Sequence, residues 1–110
     1  MSEPAVLFVF TTVSTDAEAR AIAERLVNDR LAACVNALPG VRSLFRWKGK
    51  VDEAVEILLL VKTLESRYED VKRAIAEIHP YDLPEIVALR AVDVEERFLR
   101  WIVDSCGAEP

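Results

Sequence analysis

The apolar and polar positions divide the chain into six regular segments and a tail. Ala5-Val-Leu-Phe-Val-Phe10 is short and apolar throughout, which predicts a buried strand running into Thr11-Thr12. Thr15-Asp-Ala-Glu18 has the spacing of a capping box, in which the threonine hydroxyl accepts a free backbone N–H and the glutamate reaches back. The helix it opens carries Ala19, Ile22, Ala23, Leu26 and Val27 on one face. Leu31 to about Lys48 favours strand, interrupted at Pro39-Gly40. Proline cannot donate to a sheet ladder, so this strand is expected to bend and to lie at an edge. Lys48-Gly49-Lys50 reads as a hairpin turn, and Val51 to Thr63 returns through the wholly apolar Ile57-Leu-Leu-Leu-Val61. Ser66-Arg-Tyr-Glu69 has the spacing of a second capping box and predicts a helix with Tyr68, Val71, Ile75 and Ile78 on one face. His79-Pro80 stops it. Ile86 to Val92 reads as the last strand, and Asp93 as the cap of a terminal helix bearing Phe98, Leu99, Ile102 and Val103.

Strand, helix, strand, strand, helix, strand is the order of the split βαβ arrangement. The predicted class is therefore α+β: a ferredoxin-like βαββαβ sandwich with an extended hairpin of second and third strands and a C-terminal helix. In that arrangement the first and third strands lie in the middle of the sheet, and here those two are apolar on both faces. Two helices cover one face only. A neighbouring subunit is the usual cover for a large apolar patch, so an oligomer is expected before any kinship is considered.

Composition narrows the function. The 110 residues suit one domain, residues 1–110, and 52% apolar with 30% charged residues belongs to a folded protein. The net charge of −5 argues against nucleic acid, whose affinity rests largely on Lys and Arg, and permits cations. No apolar run reaches the roughly 18 residues of a membrane helix. Met1-Ser2-Glu3-Pro4 puts no basic residue ahead of the first apolar run, so no signal peptide is expected and the cytoplasm is the expected location. Cys34, within Leu31-Ala-Ala-Cys-Val35, reads as a small core residue of a buried strand, and Cys106, before Gly107, as a plain thiol.

Arg30-Leu-Ala-Ala-Cys-Val-Asn36, Leu38-Pro-Gly-Val41, Phe45-Arg-Trp-Lys-Gly-Lys-Val51, Leu58-Leu-Leu-Val-Lys-Thr63 and His79-Pro-Tyr-Asp-Leu-Pro-Glu85 resemble the CutA divalent-cation-tolerance family. They keep that family's order and spacing, over about residues 5 to 103. The resemblance implies a ferredoxin-like fold and compact homotrimers similar to those of PII signalling proteins, with the long second and third strands reaching across to neighbouring subunits. It also implies tolerance of copper and other divalent cations in bacterial members, some of which bind Cu(II). Animal relatives are associated with membrane anchoring of acetylcholinesterase, a role that nothing in this acidic chain calls for.

His79-Pro-Tyr-Asp-Leu-Pro-Glu85 carries most of the candidate chemistry. Its two prolines hold it stiff and extended, presenting His79, Tyr81, Asp82 and Glu85 at defined positions. His79, Asp82 and Glu85 are the candidate metal ligands for a weakly held Cu(II) or other divalent cation, since imidazole with carboxylates suits such ions. A tight site needs about four ligands, so another subunit or water would complete it. Thr11 stands where copper-binding relatives carry a cysteine, and the loss of a thiolate there lowers the expected copper affinity. Thr11, Lys62, Tyr81 and Trp47 are the candidates for a cleft between subunits. Lys62 in particular would serve a PII-like module that binds a small anion. Trp47 reads equally as an interface aromatic.

Other classes are disfavoured. There is no Ser/His/Asp or Cys/His constellation, no glycine-rich phosphate loop and no CxxC, so no enzyme and no organic cofactor are expected. An RNA-binding sheet would use Phe8 and Phe10, but the third strand offers Leu59 and Val61 where aromatics are needed.

Overall fold

The computed structural model describes residues 4–107, so the reading at Met1–Glu3 lies outside the described residues. Strand β1 (Val6–Val13) leads to helix α1 (Asp16–Asn28), then to β2 (Cys34–Trp47) and β3 (Lys50–Leu64). A turn of 3-10 helix (Glu65–Arg67) precedes α2 (Tyr68–Ile78), followed by β4 (Val87–Arg90) and α3 (Glu96–Cys106). The four strands form one antiparallel sheet in the order β2-β3-β1-β4, the ferredoxin-like βαββαβ arrangement. As expected, β1 and β3 are central and the proline-bearing β2 is an edge.

Side chains alternate across the sheet. Val9, Val13, Leu59 and Val61 point to the face that α1 and α2 cover with Ile22, Leu26, Val71 and Ile75, all but free of solvent contact. Helix α1 starts at the predicted capping box: the Thr15 hydroxyl accepts the Glu18 N–H at 3.2 Å, and the Glu18 carboxylate accepts the Thr15 N–H at 3.1 Å. Val27 and Ile78, placed on the buried stripes by spacing, lie at the helix ends and are exposed.

On the opposite face Val6, Ala33 and Leu64 pack under Ile102 and Cys106 of α3, which caps one end of the sheet. The C-terminal helix thus covers part of a face expected to be bare. Two arginines hold its last turn: Arg30 Nη2 donates to the Asp104 carbonyl (2.9 Å) and Arg67 Nε to that of Cys106 (2.7 Å). Those carbonyls have no partner within the helix, so cationic donors are well placed there. Phe8 packs against this cluster under α3, whereas Phe10, Leu58 and Leu60 are only half-buried and Leu38, Val87 and Leu89 are exposed.

The second capping box does not form. The chain leaves β3 through the 3-10 turn, and Arg67, not Ser66, precedes α2 without a side-chain cap. Asp93 does not cap α3 either; the Glu95 carboxylate accepts the N–H groups of Arg97 (2.7 Å) and Phe98 (3.0 Å). The Arg97 side chain and these N–H groups hold the Glu95 carboxyl below its ordinary value. The last strand is shorter than Ile86–Val92. Leu31–Ala33 lie before β2 rather than in it, leaving Cys34 half-buried at its start.

Pro39-Gly40 does not break β2. The pairing with β3 slips between Leu38 and Val41, a bulge at which Gly40 takes φ = +75°. Beyond it the hairpin projects from the body, giving extents of 49 × 26 × 22 Å. It closes at Trp47↔Lys50 through Lys48 (φ +50°) and Gly49 (φ +79°), two left-handed residues as a type I′ turn requires. No residue of β2 is buried.

Candidate functional site

The segment after α2 is folded back onto the end of β1 by hydrogen bonds from its histidine. His79 Nε2 lies 2.9 Å from the Thr12 carbonyl and 3.1 Å from Thr11 Oγ1. A carbonyl only accepts, so Nε2 carries the proton. Nδ1 then accepts the Tyr81 N–H at 3.1 Å, and the two rings meet edge to face with centroids 4.8 Å apart. Both ring nitrogens are thereby engaged, and the bonds orient the imidazole. Thr11 is completely buried beneath it and lines no cleft; its neighbour Thr12 does.

Tyr81 carries the network onward. Its hydroxyl donates to Glu56 Oε2 at 2.7 Å, so the Ser14 hydroxyl, 2.8 Å away, donates to it. Glu56 lies on β3 with only 8% of its surface exposed. Burial of the phenol, with the adjacent Glu56 carboxylate, pushes the Tyr81 pKa above 10; the bond from Ser14 opposes the shift. Residues far apart in sequence are tied at one point: the start of α1, the middle of β3 and the His79 loop.

Beside this point lies a cleft of about 750 Å³ between the projecting hairpin and the His79 loop. Tyr81, Asp82 and Glu85 of the loop line it, facing Trp47, Asp52 and Glu56 of the hairpin. Of the expected site residues, the structure therefore brings Tyr81, Asp82, Glu85 and Trp47 together. His79 stands behind the cleft as an anchor. Lys62 is elsewhere: its ammonium lies 5.8 Å from the Phe98 ring centroid on α3, and six residues along β3 separate it from Glu56, about 20 Å at a strand's rise. Among the described residues no three His, Cys, Asp or Glu side chains gather as a metal site would require. One chain alone does not close a coordination sphere here.

Glu56 and Ser14 were not among the expected site residues. The signal for Glu56 was present as a charge directly ahead of the wholly apolar Ile57–Val61 run. Ser14 left no such mark.

Comparison with known proteins follows this geometry. Residues 7–105 match the family model described as CutA1 divalent ion tolerance protein. The divalent-cation tolerance protein CutA of Thermus thermophilus is 44% identical over 99 residues, covering 90% of this chain and 96% of that one. A CutA homolog of Danio rerio is 41% identical over 91 residues, but the match covers 83% of this chain and only 61% of that longer protein. The crystal structure of CutA1 from Oryza sativa superposes with a TM-score of 0.92 at 32% identity, covering 97% of this chain and 98% of that one. Similar proteins include forms named chloroplastic and periplasmic. No helix among the described residues is long and apolar enough to cross a membrane.

Proposed function

The chain belongs to the CutA1 divalent ion tolerance family, and from that premise we propose that it is a cytoplasmic homotrimeric binding protein, not a catalyst, that takes up divalent cations such as Cu(II) in the response to metal ions. Each subunit is one domain of residues 1–110. The observation that carries the reading is the cleft where Asp82 and Glu85 of the loop face Asp52 and Glu56 of the hairpin. Carboxylate oxygens and an imidazole suit divalent ions of hard to borderline character. Binding at His79 requires its Nδ1 to release the Tyr81 N–H, which opposes uptake and keeps the site weak. With too few donors in one chain, water or a neighbouring subunit completes the sphere. The half-covered apolar face of the sheet supports the trimer, because such a face is stable when a second copy covers it.

Native mass spectrometry with and without Cu(II) tests this reading. A trimer that binds metal in proportion to its subunits, with uptake lost in His79→Ala and Glu85→Gln, is the expected result. A monomer, or a trimer that ignores metal, overturns it. Lys62 lies on the half-covered face where a neighbour would seat, which favours one second reading: a PII-like module holding a small anion between subunits. Phosphate binding that disappears in Lys62→Ala would be its signature.

A further inference from the structure

We draw no further inference here: the strongest candidate, the exposed aromatic patch that Phe98 and Trp101 of α3 form beside the half-covered face of the sheet, their ring centroids 5.4 Å apart, belongs to the face already proposed to meet a neighbouring subunit, and nothing in the structure shows what else covers it.

Discussion

Leu59→Ala probes the frame that holds the site. Leu59 is fully buried on β3, paired laterally with Thr11 and Ala37 and covered by α1 and α2. Removing three carbons forfeits about 2.4 kcal/mol of transfer free energy at ~0.8 kcal/mol per methylene. The walls cannot close in, because strands fix two sides and Ile22, Leu26 and Ile75 are themselves locked in the core. A residual void of roughly 60 Å³ at ~24 cal/mol per Å³ adds about 1.5 kcal/mol. The expected loss is therefore about 4 kcal/mol, a large part of the 5–15 kcal/mol that holds a typical domain together. The assay is guanidinium unfolding followed by circular dichroism, at two protein concentrations so that subunit dissociation is separated from unfolding. With a slope near ~4 kcal/mol per molar the midpoint should fall by about 1 M. A midpoint unchanged within ~0.2 M would contradict the central position of β3 and the burial of Leu59 under α1 and α2.

The face that α1 and α2 leave open gives a different result. Leu60→Glu places a charge among Phe10, Leu58 and Leu38 and should shift native mass spectra from oligomer to monomer without unfolding the subunit; an undiminished oligomer would show that this face makes no contact. Tyr81 supplies the pH dependence. Burial and the Glu56 carboxylate raise its folded pKa above the ordinary 10, so its contribution to stability is complete below that value and is lost as pH rises through the raised one. Phenolate absorbance should show a tyrosine titrating late, and Glu56→Gln should bring it earlier; no change in that variant would dissolve the Tyr81–Glu56 link.

The order of elements, the central strands and the first helix cap could all be read from the chain, because each is written in neighbouring residues. Short continuous apolar runs mark β1 and β3, and the Thr15–Glu18 bonds close within a single turn. The readings that failed depend on how distant parts meet. Ser66-Arg-Tyr-Glu69 has the letters of a cap, but β3 enters a 3-10 turn in which the Tyr68 N–H bonds to the Glu65 carbonyl, so the backbone that a capping box needs never forms. Asp93 and Glu95 are both acids ahead of an apolar stripe. Docking of α3 under Val6 and Leu64, with Arg30 and Arg67 on its far end, fixes which one meets the first N–H groups. The cleft was half legible: prolines marked the loop, whereas Ser14 joins the network only through the Tyr81 hydroxyl.

His79 illustrates why placement and ligation have to be tested apart. The bonds that occupy its two nitrogens also seat Tyr81 over Glu56, so His79→Ala removes a ligand and collapses one wall of the cleft together. His79→Asn separates the two. The amide oxygen stands close to the place of Nδ1 and can accept the Tyr81 N–H, but it offers a metal no nitrogen lone pair. If His79 coordinates, His79→Asn should lose Cu(II) uptake as fully as His79→Ala while Tyr81 still titrates late. If it serves only as a strut, His79→Asn should bind Cu(II) like the parent and His79→Ala alone should fail, which would move the metal reading wholly onto Asp82, Glu85 and the hairpin carboxylates.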